Sequence, residues 1–413
     1  MASTLTTFDF AMKERYTDDK VESLMFSSRP LFGRIAKDET LMGDQFIQPL
    51  IRTAPQGLTG TIANIATPVG GTGGNVGGEK FVIPTGEYHA WVEIGDKVLK
   101  ASRANPGAFL ENKAAEIDNL YEQASDALAL YAYSNGGFAS GQRASAAVNV
   151  ITLSSKDDVA NFEVGMYVEA SSADGASTLD ALRVGSTFVT AVDRENGTVT
   201  LSSAAAIAAF ADGDYLFRYG DFAGNTAVVI YKGLRAWISD TSAPAALYGV
   251  TRTTDVQRLS GSRLVSADYT GFNIEERLQK LITRMTGRYR GPGPDDVYMH
   301  PEDFQTLALS LQTRGERTLT DDSTDFGYNY LNVMAGGVSS KVFADRFCPQ
   351  GTAFALRMNT WKIRSMLKLL HTLNGDGLTM LRKAATNDYQ YRLVSYPLIS
   401  CTAPGWNGRV PLT

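Results

Sequence analysis

The strongest constraint on the fold is one long amphipathic helix, which the sequence predicts over residues 105–134. Asn105 can cap its amino terminus, and Pro106 suits the first helical position, where no amide hydrogen is needed. Apolar side chains recur every three or four residues along it: Phe109, Leu110, Ala114, Ile117, Leu120, Tyr121, Ala124, Leu128 and Tyr131. Asn135-Gly136-Gly137 ends the helix. About 29 residues at 1.5 Å each give roughly 43 Å, which exceeds the width of a small domain.

The segment before this helix reads as strands around a glycine-rich tip. The run from Gly70 to Gly78 contains six glycines, and Phe81-Val82-Ile83 and the alternating stretch from Tyr88 to Ile94 follow it. We predict an extended two-stranded loop over residues 51–104, with a flexible tip. Because a two-stranded excursion is only marginally stable alone, the loop is expected to pack on another surface.

Two further segments have distinct sequence patterns. Residues 1–50 mix charged and apolar residues without a clean period, so we predict an arm with short helical turns near Val21 and Leu31 that packs on a neighbour. Residues 145–220 alternate short β-prone runs with polar turns, and Glu195-Asn196-Gly197 is a strong hairpin signal. We interpret these residues as a small antiparallel β domain inserted into a larger one.

The remainder mixes helices and strands. A helix begins at Asn273 with Glu276 completing a capping box, and a second helix begins at Pro301. Residues 387–400 alternate as one strand: Tyr389, Tyr391 and Leu393 are expected to face one way, and Gln390, Arg392 and Val394 the other.

Composition excludes several classes of protein. The 413 residues are 44% hydrophobic and carry a net charge of −5, which argues for folded domains and against a dedicated nucleic-acid binder. Two cysteines, Cys348 and Cys401, are too few for a secreted disulfide scaffold. No stretch has the ~18 apolar residues of a membrane span. Residues 1–8 lack the features of a signal peptide, so synthesis and use in a cytoplasm are expected.

We found no sequence motif for catalysis, a cofactor or a metal. The glycine run lacks the Gly-Lys-Ser/Thr of a phosphate loop, and His89, His300 and His371 lack helical zinc spacing. No Gly-x-Ser-x-Gly elbow occurs in a strand-to-helix context, although a triad assembled from distant residues stays open. Asp321 to Gly327 is interpreted as a solvated loop, with a subunit-bridging cation left open.

One group of basic residues lies close together in the sequence. Lys362, Arg364 and Lys368 flank Trp361, and we interpret them as a solvated or subunit-facing patch. Non-specific contact with DNA is the alternative interpretation of the same residues.

In this order the parts resemble the major capsid protein of tailed bacteriophages. The closing stretch Tyr389–Leu398 and the strand-turn-strand of Val342–Leu356 also look like that family. The resemblance implies an α+β fold with an N-terminal arm, an extended loop and a peripheral domain built on the spine helix (105–144) and a β-sheet. It also implies the inserted β domain (145–220), a mainly axial domain with some peripheral segments (221–386) and a C-terminal peripheral strand (387–413).

The resemblance also implies a function. Subunits of that family assemble as pentamers and hexamers into an icosahedral shell around double-stranded DNA, in a virion assembled in the host cytoplasm. Scaffolding, portal and decoration proteins and non-specifically held DNA are the implied partners, with no cofactor and no membrane. The residues assigned to subunit contacts, on the loop and spine, are Gly70, Gly74, Gly78, Phe81, Tyr88, Trp91, Phe109 and Tyr121.

Two features of that family are not matched here. The predicted fold begins within a few tens of residues of Met1, so scaffolding is expected from a separate protein or is absent. Lys80, Lys97 and Lys100 lie in the loop without an identifiable crosslinking partner, so non-covalent contacts are expected to close the shell.

Other functions stay open. An encapsulin-type compartment would use the same fold, whereas a β-rich surface or adhesion protein and a hydrolase belong to other classes. For the capsid hypothesis, deleting residues 67–78 is expected to leave a foldable subunit that makes no stable shells.

Overall fold

The computed structural model describes residues 29–53, 77–96, 106–176, 181–203, 208–224, 230–265, 268–288, 291–313, 319–320, 330–374, 377–383, 386 and 388–412. The α-helices that lie wholly within these residues are α1 (Pro30–Arg34), α2 (Pro106–Tyr133), α3 (Leu234–Trp237), α4 (Val256–Ser260), α5 (Ile274–Gly287) and α6 (Pro301–Thr313). Short 3-10 helices occupy Asp157–Asn161, Arg252–Thr254, Met358–Thr360 and Pro404–Trp406.

The strands in the same residues form five sheets. In chain order they are β1 (Ala36–Asp38), β2 (Gln45–Thr53), β3 (Gly77–Pro84), β4 (Tyr88–Ile94), β5 (Gly141–Ala147), β6 (Val150–Leu153), β7 (Tyr167–Ser171), β8 (Thr187–Asp193), β9 (Thr198–Leu201), β10 (Tyr215–Arg218), β11 (Ser262–Arg263), β12 (Asp296–Met299), β13 (Leu319–Thr320), β14 (Tyr330–Ala335), β15 (Val338–Ala344), β16 (Thr352–Leu356), β17 (Trp361–Ser365), β18 (His371–Thr372), β19 (Met380–Arg382), β20 (Tyr389–Ser395), β21 (Pro397–Cys401) and β22 (Gly408–Pro411).

The long helix α2 is the centre of the largest core. It runs over 28 residues, which confirms the predicted helix. Ile117, Tyr121, Leu128 and Tyr131 are buried at the predicted helical spacing. They face a sheet in which β20 pairs with β4, β18 and β19, so one layer of helix covers one face of that sheet.

The closing segment forms two strands where the sequence predicted one. β20 ends at Ser395, and β21 begins at Pro397 in a separate sheet with β17 and β1. Proline cannot donate a ladder hydrogen bond and restricts the residue before it, so the chain changes sheet there. Within β20 the predicted alternation holds for buried Tyr391 and Leu393 and exposed Arg392, but Gln390 and Val394, predicted on the same face as Arg392, are also buried.

A seven-stranded sheet, ordered β11-β22-β16-β12-β15-β14-β13, is covered on both faces. One face packs on α5 and α6, through side chains such as Val297, Leu278 and Leu307. The other face, which includes Tyr298 and Phe354, joins the core around α2. α5 begins with the capping box of Asn273 and Glu276, as predicted.

The β-rich insertion is a closed six-stranded barrel ordered β10-β5-β6-β9-β8-β7. Its interior is filled by Ile151, Phe162, Val168, Val189, Val199, Leu216 and their neighbours. The predicted hairpin connects β8 to β9, with Gly197 at φ 68°, a backbone conformation that glycine adopts readily. β5 already begins at Gly141, ahead of the predicted start at residue 145.

Two chain segments near the amino terminus are integrated into this body. α1 buries Leu31, Phe32 and Ile35 in the chain's own core, so the prediction that they pack on a neighbour is wrong. They fit there because β1 adds to β17 directly after α1 and holds the segment against the sheet. β2 and β3 form an antiparallel ribbon, and β2 begins inside the segment that was predicted as an arm. The predicted turn at Val21 lies outside the described residues.

Candidate subunit-contact surfaces

The ribbon of β2 and β3 has one apolar face that points away from the body of the chain. Ile47 and Ile51 lie on this face and are 54% and 71% exposed. Ile47 is opposite Val82, and Ile51 is opposite Gly78, so these four residues share one side of the pleat. Met42 lies just before the ribbon and is almost fully exposed. Together they form an exposed apolar surface, which we call the outer ribbon face.

The opposite face of the ribbon anchors it to the body. Phe81 and Ile83 are fully buried, and the Phe81 ring contacts Trp237 edge-on at 5.1 Å between centroids. The Arg364 guanidinium lies 4.0 Å above the ring of Phe46 at the base of the ribbon. The ribbon is therefore anchored on one side, while none of the described residues covers Ile47 and Ile51 on the other.

The proposed contact residues are distributed between the surface and the core. Gly78 and Trp91 are exposed, whereas Phe81, Tyr88 and Tyr121 are buried inside the single chain. The Tyr121 hydroxyl lies 3.0 Å from that of Tyr391, which ties α2 to β20. These three buried residues support the body from within and present little surface to a neighbour. Gly70, Gly74 and the Phe109 side chain lie outside the described residues.

Trp91 lies on the sheet face opposite α2. It is 59% exposed and sits directly across from Arg392 in the antiparallel pairing of β4 with β20. The Lys383 ammonium donates to Glu93 at 2.7 Å on the same sheet, and the Arg392 Nε donates to Gln390 at 3.1 Å. The result is a polar face around one exposed aromatic ring, which is typical of interaction surfaces.

The basic residues around Trp361 differ in their exposure and in their partners. Arg364 pairs with Asp38 on β1 and donates to the Ser400 hydroxyl at 3.3 Å, so its charge is used within the chain. Lys362 is half-buried in β17, and Lys368 is exposed. Trp361 itself is buried and donates to Asn407 at 2.7 Å. Of the predicted basic residues, Lys368 presents its side chain most openly to solvent.

Three carboxylates, those of Asp126, Asp296 and Asp345, hold α1 and the residue before it in place, and the sequence analysis did not predict these contacts. Asp126 on α2 pairs with buried Arg29 and with Arg346, and Arg34 donates to Asp296 at 2.6 Å. Asp345 accepts from the Leu31 amide at 3.4 Å. Burial raises the pKa of both Asp296 and Asp345, although their hydrogen-bond donors oppose that shift.

The described side chains of the types that most often act in catalysis or bind metals lie apart from one another or are unreactive. Both cysteines are buried, and burial raises the pKa of Cys401 to about 12, so its thiol stays protonated. His300 lies 3.8 Å from Asp157, and His89 lies 3.6 Å from Glu87. In the described contacts, neither histidine is paired with a serine that could act as a nucleophile. Across the described ranges, no three His, Cys, Asp or Glu side chains converge as a metal site would. Asp321 to Gly327, considered above as a cation loop, lies outside those ranges.

Sequence reasoning missed the outer ribbon face. Ile47 and Ile51 alternate with Phe46, Gln48 and Leu50, which is the period of a strand with one buried face. That signal was present, but Pro49 interrupts the run and weakens it as a strand. Proline is tolerated here because, among the described strands, β2 pairs with β3 alone. None of the helices in the described part has the length and apolarity that a membrane crossing requires.

Comparison with known proteins gives structural matches only. No protein-family model matches the chain, and no curated protein is similar to it in sequence. A solved structure entitled cyanophage A-1(L) capsid asymmetric unit is 13% identical, with 93% of each chain covered and a TM-score of 0.50. The capsid of a native GTA particle is 10% identical over 94% of this chain and 91% of its own, with a TM-score of 0.45. A Gordonia phage Cozz structure is 11% identical over 94% of this chain and 87% of its own, with a TM-score of 0.43.

The cyanophage match covers nearly all of both chains. Its sequence identity is low, so the likeness concerns the fold. This likeness confirms the predicted α+β fold class: the chain has the fold of tailed-phage capsid proteins.

Proposed function

We propose that this chain is a major capsid protein that self-assembles into a closed shell. The proposal extends to pentamers and hexamers that tile an icosahedral virion around double-stranded DNA. In this arrangement the sheet with α2 belongs to the peripheral domain, and the seven-stranded sheet with α5 and α6 supplies much of the axial domain. The domain limits given above are part of the proposal.

The observation that carries the proposal is the outer ribbon face. Ile47 and Ile51 are exposed and Val82 is half-buried on this face, and the described part of the chain leaves it uncovered, with Pro49 and Lys80 between them. Burying apolar area is worth about 25 cal/mol per Å², so a strip repeated on every copy favours contact between copies. A closed symmetric assembly repeats such a contact many times and turns individually weak contacts into a stable container.

The distribution of charge fits a shell that encloses DNA without binding it tightly. Arg364 is neutralised within the chain, and the net charge is −5. A protein that binds DNA by its phosphates would use a basic surface. We therefore propose that DNA contacts are few and non-specific, with Lys368 the first residue to test. Separate scaffolding, portal and decoration proteins and assembly in the host cytoplasm belong to the same proposal.

The experiment is assembly of the chain expressed alone, followed by light scattering and negative-stain microscopy. We expect closed shells or capsomer rings from the unaltered chain. Ile47→Thr with Ile51→Thr keeps β-branched side chains but makes the strip polar, so it should yield folded subunits that no longer assemble. Ile47→Val with Ile51→Val is the matched control, because it preserves both the strand preference and the apolar surface.

Two outcomes would contradict the proposal. Monodisperse monomers of the unaltered chain at high concentration would argue against self-assembly. Normal particles from the Thr double variant would show that the outer ribbon face is not a contact. Purified particles that contain protein cargo and no DNA would instead favour the encapsulin-type compartment.

A further inference from the structure

The barrel has a row of exposed aromatic side chains on one side of its outer surface. Phe188 on β8, Tyr167 on β7 and Tyr219 directly after β10 are 39%, 56% and 62% exposed. Tyr167 is opposite Phe188 in the strand pairing, and the Tyr219 amide donates to the Tyr167 carbonyl at 3.0 Å. Ring centroids are 5.7 Å and 6.4 Å apart along the row. We call these three residues the aromatic row.

Further apolar side chains are exposed beside the aromatic row, although Val148, in the turn between β5 and β6, is also 82% exposed. Leu182, Val184 and Val164, beside β7 and β8, are also exposed. The far side, on β6 and β9, turns Thr152, Thr198 and Thr200 outward. A contiguous exposed apolar patch on a small domain marks a surface that becomes covered.

The aromatic row lies at the base of the barrel, where it meets the body of the chain. Tyr219 is two residues before Asp221, whose carboxylate accepts a hydrogen bond from Tyr131 on α2. Glu169, in the strand that begins with Tyr167, accepts from the Gly220 amide at 3.1 Å. Tyr167 and Tyr219 are therefore close in sequence to residues that join the barrel to the body, and Phe188 lies near the end of β8 that is farther from the β8–β9 hairpin.

The net charges of the barrel and of the rest of the chain indicate which surface could cover the aromatic row. Residues 141–218 contain five Lys or Arg and ten Asp or Glu, a net charge of −5 that equals the charge of the whole chain. The rest of the chain is therefore neutral overall. Two barrels brought together would repel one another, whereas a neutral body would not.

We infer that in the assembled shell the aromatic row is covered by the body of a neighbouring copy of this chain. The inference rests on the proposed function and deepens it, because it makes the barrel part of the contact between subunits. Aromatic side chains commonly supply the central contacts of protein interfaces, and tyrosine is enriched among them. The row therefore contributes to shell stability along with the outer ribbon face.

The first test is hydroxyl-radical footprinting of Tyr167 and Tyr219, read by mass spectrometry, on assembled particles and on dissociated subunits of the full chain. We expect the reactivity of both tyrosines to fall several-fold on assembly. Unchanged reactivity in intact particles would overturn the inference and leave the row free for another partner. In that case the proposed function would still stand, because the particles themselves had formed.

The second test uses variants of the same chain. Tyr167→Thr with Tyr219→Thr should give folded subunits whose particles dissociate at lower urea concentration. Tyr167→Phe with Tyr219→Phe keeps the rings and should match the unaltered particles. Particles of the Thr variant that are as stable as unaltered ones would contradict the inference. An unaltered chain that stays monomeric would overturn this inference and the proposed function together.

Discussion

At the scale of single residues, the side chain of Asn407 forms hydrogen bonds with several segments of the fold. Its Oδ1 accepts from the Trp361 indole at 2.7 Å and from the Arg357 amide at 2.8 Å. Its Nδ2 donates to the Ala403 carbonyl at 3.0 Å and to the Thr360 hydroxyl at 3.2 Å. The side chain is fully buried and has its hydrogen bonds satisfied, so it connects β17 with the segment that leads into β22.

We expect Asn407→Ala to lower the free energy of unfolding by about 3 kcal/mol, because it leaves two buried N–H donors without an acceptor. Urea unfolding of dissociated subunits, followed by tryptophan fluorescence, measures the change. Asn359→Ala, at an exposed position, is the control and should shift the free energy by less than about 0.5 kcal/mol. Equal effects of the two substitutions would show that the Asn407 hydrogen bonds are not important for stability.

Asp158 makes the stability of the barrel depend on pH. Burial raises its pKa to about 6, with Asp157 adding to the shift and Arg235 opposing it. The folded state therefore binds the proton more tightly than the unfolded state does. The stabilisation from that proton is complete below the ordinary pKa of an aspartate and is lost as pH rises through about 6.

Asp158→Asn should therefore raise the thermal midpoint of dissociated subunits at about pH 7 and leave it nearly unchanged at about pH 4. Scanning calorimetry at both values measures the difference. Glu195→Gln, on the exposed hairpin of the same barrel, is the control and should show no such pH-dependent gap. A constant effect of Asp158→Asn at both values would contradict the role of its protonation.

At the scale of elements, α2 organises the body because several segments approach it closely. Gly233, just before α3, is one such point: a Cβ there would lie 2.4 Å from the carbonyl oxygens of both Tyr131 and Ala132. Contacts this short do not occur, so the backbones would have to separate. The glycine therefore sets how closely α3 approaches the end of α2.

We expect Gly233→Ala to destabilise the subunit by about 3 kcal/mol or to prevent folding, because the new methyl group meets backbone that cannot rotate away. Gly287→Ala is the control, since its Cβ would meet nothing within 4 Å. As Gly287 ends α5, alanine there should be neutral or slightly stabilising. Soluble yield and urea unfolding distinguish the two, and a Gly233→Ala subunit as stable as the control would contradict the close approach.

Elements with strong local signals were predictable. The 3.6-residue period identified α2, the capping box identified the start of α5, and Asn196-Gly197 identified the β8–β9 hairpin. The division of 387–400 into two strands was missed: Pro397 was a local signal for a break, but only the tertiary arrangement assigns β20 and β21 to different sheets. The packing of α1 was also missed, since its carboxylate partners lie far away in the sequence.

At the scale of the whole molecule, two apolar surfaces lie on separate parts of the chain. The outer ribbon face belongs to residues before α2, and the aromatic row belongs to the inserted barrel. Their separation means that one copy can contact more than one neighbour, which a closed shell requires. The Thr variant of the row should therefore weaken the particles, whereas the Thr variant of the ribbon should prevent their assembly.

The sequence by itself determined the α+β class, the long helix, the small β insertion and the scarcity of chemical motifs, because these depend on local periodicity, turn chemistry and composition. Only the tertiary structure decided which apolar residues are core and which are surface. Phe81, Tyr88 and Tyr121 became core, while Ile47, Ile51 and the aromatic row stayed exposed. The physical reason is that burial depends on which distant segments pack together, and the local sequence pattern does not show which segments these are.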